Sequence, residues 1–127
     1  MKTDHLHEIW GGPDNSRLIS KQFSFRLPVH VAAKLAALGD IYPNKNRTQI
    51  VADLLTAALD DLEQNLPVYK GQATQGPDDG RRYFDIEGPR SRFRDLTDRY
   101  FKVFEKELGN ENPKPLYGLF IMSEDEF

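Results

Sequence analysis

Residues 21 to 28 read KQFSFRLP, and this stretch constrains the fold more than any other part of the chain. Apolar Phe23, Phe25 and Leu27 alternate with Gln22, Ser24 and Arg26, the period of two expected of a strand with one buried face. Residues 28 to 66 have helical patterning, so the strand has no neighbour to pair with. Its N–H and C=O groups would be left unsatisfied. A segment of about 45 residues also buries too little surface to be stable alone. A second copy resolves both problems. If two chains pair these strands antiparallel, Phe23, Phe25 and Leu27 of both face the helices, and Gln22, Ser24 and Arg26 of both face outward. A two-stranded ribbon of that kind is narrow enough to enter the major groove of B-form DNA.

The helices on which such a ribbon would rest are legible from periodicity and punctuation. Pro28 suits the first turn of a helix, and Val31, Leu35 and Leu38 come after it at spacings of four and three, which predicts a helix over 28–39. Gly39-Asp40 and then Tyr42-Pro43-Asn44 end it. Asn46-Arg47-Thr48-Gln49 has the form of a capping box and opens a second helix. Ile50, Val51, Leu54, Leu55, Ala58, Leu59 and Leu62 make a broad apolar stripe, with Asp53, Asp60, Asp61 and Glu63 read as its solvated remainder. Pro67 stops that helix near Leu66.

Residues 21–66 resemble the ribbon-helix-helix family of the Arc, MetJ and CopG type: a strand ending Arg-Leu-Pro, a short helix, a polar turn, and a helix opening Asn-Arg-Thr-Gln-Ile. The QFSFRLP strand is especially similar to the Arc type, as is the spacing from Pro28 to Ile50. The resemblance covers a little over a third of the chain. It implies an intertwined homodimer that inserts its ribbon into the major groove. It makes Gln22, Ser24 and Arg26 the base-contacting set, with Phe23, Phe25, Leu27, Val31, Leu35, Leu38, Ile50, Leu54 and Leu55 as the dimer core. Arg bonds bidentately to guanine and Gln to adenine. Ser24 departs from the Asn of Arc-like strands, and its hydroxyl cannot make a two-pronged amide contact. A phosphate can dock on the first turn of the second helix, where N–H groups lack helical partners, so Lys21, Lys45, Asn46, Arg47 and Thr48 are the phosphate-contacting candidates.

Charge is consistent with that placement. The whole chain carries a formal net charge of -3. Residues 21–50 nevertheless hold Lys21, Arg26, Lys34, Lys45 and Arg47 against Asp40 alone. Screening limits each charge to roughly 8 Å at physiological salt, so the local patch governs attraction to phosphate.

The remaining segments divide into an N-terminal arm over 1–20, a linker over 67–82 and a C-terminal region over 83–127. Tyr83 to Glu87 alternates weakly like a strand, and Gly88-Pro89 opens a third helix with Phe93, Leu96, Tyr100, Val103, Phe104 and Leu108 on one face. Leu116 to Met122 reads as a further strand. The arginines at 81, 82, 90, 92, 94 and 99, interleaved with Asp85, Asp95 and Asp98, are expected to pair along that third helix, a second nucleic-acid surface being the less favoured reading. The fold class expected is therefore mainly α with a short strand, an intertwined dimer plus a small C-terminal extension.

No catalytic constellation is present in the sequence: there is no P-loop, no HExxH and no cysteine, so the expectation is a non-enzyme without cofactor or metal. His5, His7 and Glu8 in the arm lack a distant fourth ligand, and Trp10 suits packing on a partner subunit. No apolar h-region or membrane-length run occurs, which predicts a soluble, cytoplasmic, nucleoid-associated protein without membrane contact. Two functional classes fit these expectations. One is a dimeric transcriptional regulator, in keeping with a repressor, whose C-terminal region folds onto the dimer or joins dimers on DNA. The other is an antitoxin that wraps its toxin as a protein partner through residues 83–127. The aromatic stripe of the third helix favours the first, because a disordered wrapping tail is poorer in aromatics.

Overall fold

The computed structural model describes residues 18, 19 and 21–127, and it divides into two compact units at Leu62/Glu63. Most of the expected arm, with His5, His7, Glu8, Trp10 and Arg17, lies outside the described residues. The described fold is mixed: three α-helices and one small antiparallel sheet of three strands.

In the first unit, helix α1 spans Val29–Ile41 and α2 spans Arg47–Asn65, its last turn belonging to the second unit. Pro28 is the residue before α1 and not its first member; its carbonyl accepts from Val31 and Ala32 N–H at 3.1 and 3.0 Å. The helix also runs on through Gly39 and Asp40, two residues past its expected end. Gly39 keeps a negative φ and does not break the helix. Termination falls instead to Pro43, which excludes α geometry at Tyr42, where φ is -119° and ψ is 68°.

The capping box that opens α2 is formed in full. Gln49 N–H donates to Asn46 Oδ1 at 2.8 Å, and Asn46 N–H donates to Gln49 Oε1 at 3.2 Å. Asn46→Ala should therefore cost about 1 kcal/mol of helix stability, read as a lowered unfolding midpoint, while Asn46→Asp should retain most of it.

The core of this unit is Ile50 and Ala57, with Leu35, Leu38, Tyr42 and Leu54 packed against them. Ile50, Leu54 and Ala57 recur at four and three residues and so share one side of α2. Asp53, expected on the wet side, is buried beside that stripe. Leu55, Leu59 and Leu62 lie on a different side and are about half exposed.

The second unit contains β1 at Tyr69–Thr74, β2 at Tyr83–Glu87, α3 at Pro89–Glu107, β3 at Ile121–Ser123 and a 3₁₀ turn at Glu124–Glu126. The sheet order is β1-β2-β3, antiparallel throughout. Strand β1 corrects the expected 67–82 linker. It pairs Tyr69 with Glu87 and Thr74 with Tyr83, and a bulge between Lys70 and Ala73 sets two residues against Asp85. Gly71 lies in that bulge, where an added Cβ would come within 2.8 Å of the Asp85 carbonyl. The expected strand over Leu116 to Met122 shortens to Ile121–Ser123, because only those residues pair with β2. Phe84, Ile86 and Met122 form the buried apolar centre of this unit. Phe127 meets Phe84 edge-on, with ring centroids 6.4 Å apart.

Candidate nucleic-acid interface

The segment expected as a strand, 21–27, has no strand partner among the described residues and is exposed along its whole length. The expected strand needs a second copy to pair with, and a single chain leaves the segment without that neighbour. The physical reason is that a strand exists only with a hydrogen-bonded neighbour, and no described strand of the chain pairs with it. Phe23, Phe25 and Leu27, expected in a core, are 62, 76 and 48% exposed. Gln22, Ser24 and Arg26 are likewise exposed. Of the expected dimer-core residues, Ile50 is fully buried, Val31, Leu35, Leu38 and Leu54 are half-buried, and Leu55 is 50% exposed.

The first unit therefore presents two sets of uncovered apolar side chains: the three of the 21–27 segment, and Leu55, Leu59 and Leu62 on α2. Clusters of large exposed apolar residues in a small unit mark a surface that another chain covers.

At the start of α2, the side chain of Asn46 is committed to Gln49 N–H, and the next helical bond runs from Ile50 N–H to the Asn46 carbonyl at 3.2 Å. The N–H groups of Arg47 and Thr48 precede that first bond, in the position where helix termini receive anions. Arg47 and Thr48 are exposed. Lys45 is half-buried, its N–H donating to the Tyr42 carbonyl at 3.1 Å, which fixes the turn ahead of the helix. Lys45, Asn46, Arg47 and Thr48 thus sit in one short run at one helix end, whereas Lys21 lies beside the candidate base contacts. The candidate base contacts sit in a separate run before α1.

The second unit holds charged groups that composition placed wrongly. Glu63, expected in a solvated acidic run with Asp60 and Asp61, is buried. It accepts from Arg94 Nε at 2.7 Å and from the Tyr117 hydroxyl at 3.1 Å. The Arg94 guanidinium lies 3.9 Å from the Phe120 ring centroid and 4.9 Å from that of Tyr117. Arg90 donates to the carbonyls of Leu66 and Gln64 at 3.1 and 2.6 Å, satisfying orphan acceptors at the end of α2. Asp98 accepts from Tyr117 and Gly118 N–H at 2.9 and 3.0 Å. Arg81 pairs with Asp79, whose carboxyl is held below its ordinary range chiefly by the hydrogen bond from the Tyr83 hydroxyl. Arg90, Arg94 and Asp98 thus bond outside α3, and Arg81 pairs with Asp79 in the loop before β2, which corrects for these four the expectation of pairing along the third helix.

Arg94 also borders a cavity of about 340 Å³ beside Asp85, Ser91 and Phe120, with its charge already engaged by Glu63. Among the described residues no cluster of metal-ligating side chains occurs, and no helix is long and apolar enough to cross a membrane. Comparison with protein-family models, with curated proteins and with solved structures finds no match to this chain.

Proposed function

We propose that this chain is a dimeric, sequence-specific binder of double-stranded DNA that acts as a transcriptional regulator, most simply a repressor. Two copies pair residues 21–27 into an antiparallel ribbon, and that ribbon enters the major groove. The observation that carries the reading is the exposure of Phe23, Phe25 and Leu27 together with Leu55, Leu59 and Leu62. A second copy would cover all six and give the segment a strand to pair with. The polar side chains of the ribbon would then point away from the helices. Arg26 and Gln22 would read base edges, Ser24 would make a single-pronged contact, and the start of α2 would hold phosphate through Asn46, Arg47 and Thr48. Lys21 and Lys45 would add attraction independent of sequence.

The second unit weighs toward a regulator over an antitoxin. It has its own sheet, an apolar centre and, among the described residues, no buried side-chain polar atom without a hydrogen-bond partner. A segment built to fold only around a toxin has less reason to satisfy itself.

Footprinting on the DNA upstream of the chain's own reading frame tests the proposal. A protected site that competes with random DNA is the expected result, and binding equally to all sequences would overturn it. Lys45→Ala should weaken operator and random DNA alike and flatten the salt dependence of log K by about one unit per protomer. Loss confined to the operator would remove Lys45 from the phosphate set.

A further inference from the structure

The sequence contains a single Asp-Gly step and no Asn-Gly step, and the structure places it at Asp79–Gly80, on the connection between β1 and β2. Such a step is open to attack by its own backbone, because glycine has no side chain to keep its nitrogen from the carboxyl beside it. Gly80 is exposed, its φ is +81°, and a Cβ built on it would meet nothing within 4 Å. The carboxyl of Asp79, in contrast, is held. Its Oδ1 accepts from Arg81 N–H at 3.0 Å in an Asx turn, its Oδ2 accepts from the Tyr83 hydroxyl, and Arg81 Nε lies 3.9 Å from Oδ2. Tyr83 is itself fixed. It opens β2 opposite Thr74, and its ring lies against Gly76, where an added Cβ would collide with it.

We propose that Asp79–Gly80 is a modification site of this chain, a step that converts to isoaspartate through a succinimide and that the Tyr83 hydroxyl and the Arg81 N–H hold unreactive in the fold. The conversion needs no reagent but water. The Gly80 nitrogen attacks Asp79 Cγ, an N–C bond forms, and the N–H proton leaves with the carboxyl hydroxyl as water. Water then reopens the ring at one of its two carbonyls. Addition at Cγ restores aspartate, and addition at the α-carbonyl leaves the chain running through Cγ as isoaspartate. Both hydrogen bonds oppose the first step. They fix the plane of the carboxyl, and they favour its ionised form, whose oxygen is a poor leaving group. The hydroxyl of Tyr83 is the chief reason that this carboxyl titrates below its ordinary range. Isoaspartate adds one atom to the backbone of the turn that closes the Thr74–Tyr83 pair, and it moves the carboxylate onto the α-carbon, away from both donors. Conversion therefore loosens the β1–β2 hairpin. None of this depends on DNA binding.

Incubation of the full chain in oxygen-18 water at neutral pH tests the proposal, because each succinimide that forms and reopens leaves one heavy oxygen at Asp79. Peptide mass spectrometry reads that label and the isoaspartate at the same position. The folded chain should label more slowly than the same chain in urea. Tyr83→Phe keeps the ring against Gly76 and removes only the hydroxyl. It should raise the folded rate about threefold to tenfold, less than the full worth of a hydrogen bond to a charged group because Asp79 is exposed to water. Hydrogen exchange over residues 69–87 should stay as in the unmodified wild type. Three results overturn the proposal. They are equal rates in the folded and unfolded chain, a Tyr83→Phe rate no faster than wild type, and a faster rate matched by lost exchange protection across the hairpin, which would assign the protection to the fold and not to the hydroxyl. Loss of operator binding leaves all of these readouts untouched, so the two proposals fail separately.

Discussion

Glu63→Ala should destabilise the second unit by about 3–5 kcal/mol, the usual cost of leaving one member of a buried ion pair without its partner. The side chains of Glu63 and Arg94 are 7 and 15% exposed and meet at 2.7 Å. The removal would strand a guanidinium between the Phe120 and Tyr117 rings and leave the Tyr117 hydroxyl without its acceptor. Arg94→Ala should cost a similar amount by the converse route. The two together should cost clearly less than the sum, because the second removal relieves the charge that the first stranded. Glu63→Gln keeps an acceptor for Arg94 and Tyr117 and should lie between wild type and Glu63→Ala. Chemical denaturation with hydrogen exchange over residues 83–123 gives the numbers. Strict additivity, or a Glu63→Ala cost below about 1 kcal/mol, the range of exposed pairs, would show that the pair is effectively wet.

The same pair marks the limit of what periodicity could reveal. Helices α1, α2 and α3 and strand β2 were legible because each carries a local signal: a recurring apolar position, a proline, a capping box, an alternation. Strand β1 carries none. Its YKGQAT sequence is polar and mostly exposed, and its strand character comes from pairing with β2 across a bulge. Glu63 and Arg94 read as solvent-facing because charge on a helix usually is. Their burial depends on contacts 31 and 54 residues apart, with Arg94 and with Tyr117, which no local pattern encodes. The candidate ribbon presents the reverse case. Its alternation is plain in Phe23, Phe25 and Leu27, yet the chain leaves them exposed, because alternation marks a face without supplying the strand or surface that would cover it. The aromatic stripe of α3 is similar in part: its period is right, but two of its six residues, Tyr100 and Val103, are exposed.

Arg26→Ala should abolish discrimination between the operator and random DNA while leaving the dimer intact. Arg26 alternates with Phe25 and Leu27, so in a paired ribbon it lies on the face opposite the apolar one. A bidentate arginine-guanine contact supplies about 1–3 kcal/mol of discrimination, and a dimer makes the contact twice, so the expected loss is about 2–6 kcal/mol. That is roughly 30-fold to 10⁴-fold in operator affinity. Random DNA should lose far less, since only the charge is missed there. Arg26→Lys separates the two contributions. It keeps the charge and loses the planar fork, so affinity for random DNA should hold while operator preference falls. The dimer should survive both changes, because its apolar face is formed by Phe23, Phe25 and Leu27 and not by Arg26. The measurement is competitive titration of the footprinted site against random duplex at fixed salt, with sedimentation as the control for assembly. An equal loss on both DNAs, or an operator preference that persists in Arg26→Lys, would mean that this face of the ribbon holds phosphate and leaves base reading to other residues.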